Sequence, residues 1–141
     1  MSDFYTSYTD GGSRSNPGPA AIGAVVFDPS GGVVKEISEY IGTATNNVAE
    51  YRALIAALQA AKAVGVDHII CHLDSEFVVK QMKGEYRVKS PDMKPLFAEA
   101  LKWARQFSEI QFVHVRREQN THADRLVNAA LDALGYTKSG A

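Results

Sequence analysis

Residues 47–74 read NVAEYRALIAALQAAKAVGVDHIICHLD, and this stretch decides the fold. The part over 47–64 is rich in Ala and Leu and holds no Gly or Pro, so it predicts a helix that stops at Gly65. His68–Leu73 then predicts a short strand. A helix followed directly by a strand is typical of α/β proteins, in which helices pack on the faces of a sheet.

Strands and one loop are predicted before this helix. Residues 3–9 are rich in aromatic and β-branched side chains, which favour a strand. Residues 21–27 and 33–41 predict two strands joined by DPSGG, a hairpin connection. Between 11 and 20, Gly-Gly and Asn-Pro-Gly-Pro predict a loop.

Helices and strands alternate after residue 74. The sequence predicts helices over 75–83, 95–107 and 121–134, and a strand over 110–115. Strands therefore come first as a meander and then alternate with helices. This order predicts an α/β fold with a mixed sheet that is flanked by helices.

The composition indicates one globular domain. The chain has 141 residues, 45% of them hydrophobic and 22% charged, with one Cys. This length fits a single domain over 1–141, with a core over about 3–134 and a short tail over 135–141. The lone Cys71 excludes a disulfide framework and a multi-thiolate metal site, and we expect it to be buried. With no long apolar run and no signal-peptide start, we expect a cytoplasmic protein without a membrane segment.

Four acidic residues stand out by position. Asp10 directly follows the first predicted strand and Asp74 ends another, and ligands of open α/β sheets bind at the carboxyl ends of strands. Glu50 shares a helical stripe with apolar residues that should face the sheet, where a carboxylate is costly unless a cation compensates it. Asp124 lies early in the last helix, at the edge of its apolar stripe.

Four converging oxygen ligands would suit Mg²⁺ or Mn²⁺ rather than zinc. They could hold two ions roughly 4 Å apart around a scissile phosphate, to activate water and stabilise the leaving oxygen. The sequence offers no Ser-His-Asp or Cys-His arrangement for nucleophilic catalysis.

The same acids also have a structural interpretation. Residues 47–50 and 121–124 have the spacing of capping boxes, in which the acid binds backbone N–H groups. Asp74 or Ser75 would be an ordinary N-cap, and Asp10 a turn residue before Gly-Gly. The inward position of Glu50 argues against capping there, but spacing alone leaves both interpretations open.

Four segments resemble the motifs of the type 1 ribonuclease H family, in the family's order and spacing. They are YTDGGSRSNPGPA at 8–20, TNNVAEYRAL at 45–54, LDSEFVV at 73–79 and REQNTHADRLVN at 117–128. The first motif alone would be a weak signal. The four together span nearly the whole chain and are a specific one.

The resemblance implies an endonuclease that hydrolyses the RNA strand of RNA–DNA hybrids and leaves 5′-phosphate and 3′-hydroxyl ends. It implies the ribonuclease H-like fold, a five-stranded mixed sheet built from a three-strand antiparallel meander and two further strands. It also implies two Mg²⁺ or Mn²⁺ ions, with Asp10 bridging both. Their ligands, and the catalytic residues, would be Asp10, Glu50, Asp74 and Asp124.

Further residues match family positions that touch the hybrid, namely Gly11, Asn16, Thr45, Asn46 and Glu76. A glycine lets the backbone approach a 2′-hydroxyl, and Asn and Thr can bind phosphate or sugar without adding charge. The alternative is that the Asn residues are simply turn and cap residues. Tyr86 and Lys89, which lie in a polar and basic segment, are further candidates for substrate contact.

Two features depart from the family pattern. Several members carry a loop His shortly before the last carboxylate, and this chain has Arg117 about where that His would act. Arg stays charged at neutral pH, so its expected role is electrostatic. Some members also carry a long basic protrusion that this chain lacks. The compact pattern resembles the ribonuclease H domains that are fused to phosphatase-like domains in some bacteria.

The formal net charge of −1 gives no support by itself to nucleic-acid binding. Residues 80–105, however, hold seven Lys or Arg and three Asp or Glu, a net charge of +4 against −5 for the rest. Two bound divalent ions would neutralise the four carboxylates and bring the formal net charge of the chain with its ions to +3. We therefore expect a basic contact segment, an acidic catalytic centre and salt-sensitive affinity.

Other functions remain open at this point. The chain could be a non-catalytic module that binds hybrids, or another nuclease of the same superfamily, such as an exonuclease or a resolvase-like enzyme. Added activity on duplex RNA is a further alternative. We expect a monomer with the hybrid as its partner and no obligatory protein partner.

Overall fold

The computed structural model describes residues 3–135. Five strands form in chain order: β1 (Tyr5–Ser13), β2 (Gly18–Phe27), β3 (Val33–Ala44), β4 (His68–Leu73) and β5 (Glu109–His114). Four α-helices accompany them: α1 (Asn46–Ala63), α2 (Glu76–Met82), α3 (Lys94–Ala104) and α4 (Thr121–Ala133). A single 3₁₀ turn, Arg117–Gln119, precedes α4.

The strands form one mixed sheet in the order β3-β2-β1-β4-β5. The pairs β1–β2 and β2–β3 are antiparallel, and β4 and β5 add in parallel. This is the predicted fold, an antiparallel meander of three strands extended by two more. The parallel additions need long crossovers, which α1 supplies before β4 and the α2–α3 segment supplies before β5.

One predicted boundary is wrong. The first strand does not end at residue 9, because Asp10, Gly11 and Gly12 continue β1 and pair with β2. The predicted loop over 11–20 shrinks to 14–17, since β2 already begins at Gly18. The remaining elements are present, with ends that differ from the predicted ones by up to three residues. The predicted single domain over 1–141 stays a prediction, and residues 136–141 of the predicted tail lie outside the described residues.

The core lies between the sheet and α1. Leu54 and Leu58 of α1 are fully buried in one cluster that also holds Ile69 and Leu73 of β4. Cys71 is also fully buried there, as predicted. Along residues 3–135, no helix combines the length and the apolar character that crossing a membrane requires.

Two glycines admit helix backbones onto opposite faces of the sheet. A Cβ on Gly11 of β1 would lie 2.2 Å from the carbonyl carbon of Ala49 in α1. A Cβ on Gly23 of β2 would lie 2.2 Å from the carbonyl oxygen of Ala123 in α4. In the β1–β2 register Gly23 stands opposite Asp10 and Gly11 is the next residue, so the two glycines face opposite sides. Glycine at 11 and 12 therefore serves helix packing and strand pairing, not a loop.

This packing makes a prediction for Gly11→Ala. The new methyl group meets rigid α1 backbone, so we expect the free energy of unfolding to fall by about 2–3 kcal/mol in urea denaturation. Gly12→Ala is the matched control, because its Cβ would meet one side-chain atom, the Val127 Cγ1 at 3.3 Å, rather than helix backbone. Equal unfolding midpoints for the two variants would contradict this account of α1 packing.

Candidate active site

The ends of two parallel strands bring two carboxylates together. Thr9 of β1 is in register with Leu73 of β4, so the next residues along the two strands, Asp10 and Asp74, emerge at the same edge of the sheet. Asp10 is only 9% exposed, and Asp74 is half-buried. Their meeting follows from strand register, as the sequence predicted.

Helix α1 adds the third carboxylate from the other side. Its N-cap is Thr45, whose side chain accepts a hydrogen bond from the Val48 N–H at 3.2 Å. Glu50 is 6% exposed, and its Oε1 accepts from the Gly11 N–H at 2.8 Å. The capping-box interpretation of residues 47–50 is therefore wrong, because Glu50 binds the neighbouring strand rather than its own helix end.

Asp124 comes from α4 and completes the acidic edge. No side-chain cap closes the start of this helix, so the capping-box interpretation of residues 121–124 is also wrong. The Oδ2 of Asp124 instead accepts from the Nδ2 of Asn128, one turn later, at 3.2 Å. Ser75, by contrast, does cap α2, as the structural interpretation had it, and accepts from the Val78 N–H.

The four acids line one open cleft, which we call the acidic cleft. Ligand atoms of Asp10, Glu50 and Asp74 all lie within 4.8 Å of one another. Asp124 lines the same cleft, together with Arg117, Gly11 and Asn46. The family resemblance implied this convergence, which spacing alone leaves open, and the geometry is compatible with the metal-ligand assignment.

Burial and mutual repulsion dominate the electrostatics of the cleft. Burial, and then the nearby charges of Asp74 and Asp124, raise the pKa of Asp10 to about 7. Burial and the charge of Asp10 raise the pKa of Glu50 well above its usual range. Burial also raises the pKa of Asp74, and the Arg117 guanidinium acts against that rise. Without a cation, this cluster resists full ionisation at neutral pH.

The donor set fits a hard divalent ion. All the convergent atoms are carboxylate oxygens, which Mg²⁺ and Mn²⁺ prefer. One of them, Oε2 of Glu50, is buried and accepts no hydrogen bond from the residues that the structure describes. A buried oxygen left in this state is costly, and a bound cation would satisfy it.

Several predicted substrate contacts form a connected polar rim beside the acids. The Asn16 Oδ1 accepts from the Asn46 N–H at 3.0 Å, and the Asn46 Oδ1 accepts from the Ser13 N–H at 2.9 Å. With Thr45 as the α1 cap, the turn-and-cap interpretation of these residues describes their contacts in the free protein. Sequence reasoning assigned Gly11 to the approach of the substrate. In the structure Gly11 also has a packing role, because it admits the α1 backbone.

Three other predicted contacts lie away from the cleft. Tyr86 and Lys89 line a separate groove, the aromatic groove, together with Phe77, Glu85, Arg87, Ser90 and Met93. The Lys80 ammonium lies 5.0 Å from the centre of the Tyr86 ring, a cation–π contact. Glu76, exposed in the first turn of α2, pairs with Lys80 at 3.7 Å.

Among the residues that line the acidic cleft, sequence reasoning missed Arg14 and Asn128, which contact each other. Asn128 lies four residues after Asp124 on a predicted helix, so the i,i+4 rule could have placed it beside that carboxylate. Arg14 stands within the first motif, but no local pattern marks its side chain, whose contacts with Asn128 and Asp132 join residues more than a hundred positions apart. Sequence reasoning also missed Phe77 of the aromatic groove, although Phe77 stands within the third motif.

Comparison with known proteins agrees with this geometry. A family model described as "Reverse transcriptase-like" matches residues 8–130. The bifunctional protein Rv2228c of Mycobacterium tuberculosis is 50% identical over 91% of this chain, which spans 35% of that protein's length. Ribonuclease HI of Halobacterium salinarum is 46% identical over 89% of the chain, which spans 63% of it. The solved complex of LC11-RNase H1 with an RNA/DNA hybrid superposes with a TM-score of 0.87 at 46% identity, covering 92% of this chain and 98% of that one.

A five-stranded mixed sheet with acids from two strands and two flanking helices meeting at one edge defines the ribonuclease H-like class of folds. Within that class, the order of the motifs and the matches over nearly the whole length of solved relatives point to one family. The chain belongs to the type 1 ribonuclease H family.

The raised pKa values predict how the metal-free protein responds to pH. A carboxyl whose pKa is higher in the folded state stabilises the fold below its unfolded pKa of about 4, and this is lost as pH rises through the folded value. We therefore expect the unfolding free energy of the metal-free chain to fall between about pH 4 and pH 7. Asp10→Asn should raise it by about 2 kcal/mol at pH 7.5, and saturating Mg²⁺ should flatten the profile of the parent.

Urea denaturation in EDTA across this pH range measures the effect. Glu109→Gln is the control, because Glu109 is an exposed carboxylate at the start of β5, level with His68 and thus at the opposite end of the sheet. A metal-free profile that Asp10→Asn leaves unchanged would show that the acids do not repel one another in the folded chain.

Proposed function

We propose that this chain is a metal-dependent endonuclease that hydrolyses the RNA strand of RNA–DNA hybrids and leaves 5′-phosphate and 3′-hydroxyl ends. The observation that carries the proposal is the group of three carboxylates within 4.8 Å, with Asp124 in the same cleft. Family membership supports the substrate class, because a 46%-identical relative, LC11-RNase H1, is solved with an RNA/DNA hybrid.

The four carboxylates would hold two Mg²⁺ or Mn²⁺ ions. When bound, such ions lower the pKa of an attacking water and neutralise charge at the scissile phosphate. The chain's own contacts leave oxygens available for this purpose. The Oε1 of Glu50 accepts from the Gly11 N–H, which restrains the side chain, while its buried Oε2 has no hydrogen-bond partner among the described residues.

Arg117 would act through its charge. It is exposed at the rim of the acidic cleft, and its guanidinium already opposes the rise in the pKa of Asp74. A cation in that place would stabilise negative charge that develops on the phosphate during hydrolysis, and it needs no proton transfer to do so.

Hybrid recognition would extend from the polar rim to the aromatic groove. Asn16, Thr45 and Asn46 hold the strand connection against α1, and donors of this kind position a phosphate backbone without reading its sequence. In the aromatic groove, Tyr86 offers a ring and Lys89 a charge, a combination typical of surfaces that bind nucleic acid. Glu76 stays a predicted contact. In the sequence it lies between the residues of the polar rim and those of the aromatic groove.

Several expectations remain predictions alongside this proposal. They are action as a monomer without an obligatory protein partner, a cytoplasmic location and the choice between Mg²⁺ and Mn²⁺. The chain spans about one third of the length of the mycobacterial relative.

One gel experiment tests the proposal. The chain is incubated with an internally labelled, end-blocked hybrid, and in parallel with duplex RNA, duplex DNA and single-stranded RNA, each in Mg²⁺, Mn²⁺ or EDTA. We expect internal cuts in the RNA strand of the hybrid only when a metal is present. Asp10→Asn should lower the rate by about a thousandfold or more, the loss of roughly 4 kcal/mol of transition-state stabilisation, while Glu109→Gln cuts like the parent.

The other outcomes separate the alternatives. An exonuclease would leave the end-blocked hybrid intact, and a pure binding module would retain hybrid in Mn²⁺ without cutting it. Cleavage of duplex RNA would show that the chain also acts on that substrate. If Asp10→Asn cuts as fast as the parent, the assignment of the carboxylates is wrong.

A further inference from the structure

A hydrogen-bonded chain leads from the loop after β1 to Asp124. The Nη2 of Arg14 donates to the Oδ1 of Asn128 at 3.1 Å, and the Nδ2 of Asn128 donates to the Oδ2 of Asp124 at 3.2 Å. The same Arg14 nitrogen also contacts the Oδ1 of Asp132 at 3.2 Å. The Arg14 side chain is only 9% exposed, although Asp132 is an exposed partner at 64%. A side chain this long is buried here along the wall of the acidic cleft.

The order of donors and acceptors makes the chain directional. Arg14 carries donors only, so the Asn128 atom that meets it must be the oxygen of the amide. The amide nitrogen of Asn128 then has to face Asp124, whose carboxylate can only accept. Arg14 thus sets which way the Asn128 amide points, and Asn128 in turn fixes one oxygen of Asp124.

Asp124 is the acid for which such a support matters most. The three mutually close carboxylates come from β1, β4 and α1, while Asp124 lines the cleft from α4 on the opposite face of the sheet. Its distance from the other three depends on α4 and on its own side-chain rotamer. A neutral amide between Arg14 and Asp124 transmits orientation without placing a full positive charge on a carboxylate that is to bind a cation.

We propose that Arg14 and Asn128 are positioning residues for Asp124: they hold one of its oxygens so that the other faces the divalent-ion site. The inference rests on the proposed function for the presence of that ion. It adds to the proposed active site two residues, Arg14 and Asn128, that belong neither to the four acids nor to the polar rim. Hydrogen-bond partners of metal ligands typically change metal affinity by about 10- to 100-fold when they are removed.

The test measures Mn²⁺ affinity by calorimetry, independently of cleavage. Asn128→Leu keeps the side-chain size and removes the amide, and we expect it to weaken Mn²⁺ binding by about tenfold. Arg14→Leu should weaken binding as well. Electrostatics alone predicts the opposite sign, because loss of a positive charge near the site favours a cation. Arg125→Leu, at an exposed position of α4 next to Asp124 in the sequence, is the matched charge control and should not weaken binding.

A double-mutant cycle separates positioning from a general effect on the fold. In an Asp124→Ala background, Asn128→Leu should cause no further loss of Mn²⁺ affinity, since its partner is gone. A tenfold loss that persists in that background would overturn the proposal, as would unchanged affinity in Asn128→Leu. If the parent chain binds no Mn²⁺, the proposed function and this inference both fail. If the parent binds and Asn128→Leu binds equally, only the inference fails.

Discussion

The close approach of two helices to glycines on adjacent strands is the constraint on which the site depends. Gly11 admits the α1 backbone on one face and Gly23 admits the α4 backbone on the other. Each contact sits beside an acid of the site, because Ala49 precedes Glu50 and Ala123 precedes Asp124. Contact at the backbone, without side chains between, lets two short carboxylate side chains reach the strand ends from opposite faces of the sheet.

The resulting cluster is unfavourable in the free chain and suited to a cation. Burial and like charges raise the pKa values of Asp10, Glu50 and Asp74, so the fold gives up stability at neutral pH to hold them together. The contacts that hold the acids are neutral: a backbone N–H on Glu50 and an amide on Asp124. Such donors orient a carboxylate and leave its charge for a metal. The formal charge of the chain is therefore less informative than its distribution.

Much of the fold followed from the sequence, because its signals were local. The Ala-rich stretch over 47–64 and the short strand predicted over 68–73 gave α1 and β4 closely, and the positions of the motif acids predicted the sheet edge where these acids meet. The Gly-Gly at 11–12 misled, since glycine marks a loop by composition, whereas both residues continue β1 and Gly11 avoids a clash with the α1 backbone. That clash joins residues 38 or more positions apart, and only the packed helix reveals it.

Arg14 and its partners Asn128 and Asp132 were missed for a related reason. A buried guanidinium in a Gly- and Pro-rich stretch has no periodic signature, and its contacts span more than a hundred residues. Asn16, Thr45 and Asn46 show a different limit. Their side-chain oxygens accept hydrogen bonds in the turn and cap contacts of the structure. The amide nitrogens of the Asn residues and the Thr45 hydroxyl stay candidates for phosphate binding, because a phosphate needs donors.

The central claim is that these four carboxylates hold the catalytic ions. The most direct measurement is an anomalous difference map from crystals of the chain with Mn²⁺ and a hybrid analogue that resists cleavage. The account predicts two peaks roughly 4 Å apart, in contact with Asp10, Glu50, Asp74 and Asp124. A bound analogue with no Mn²⁺ peak at these carboxylates would contradict it.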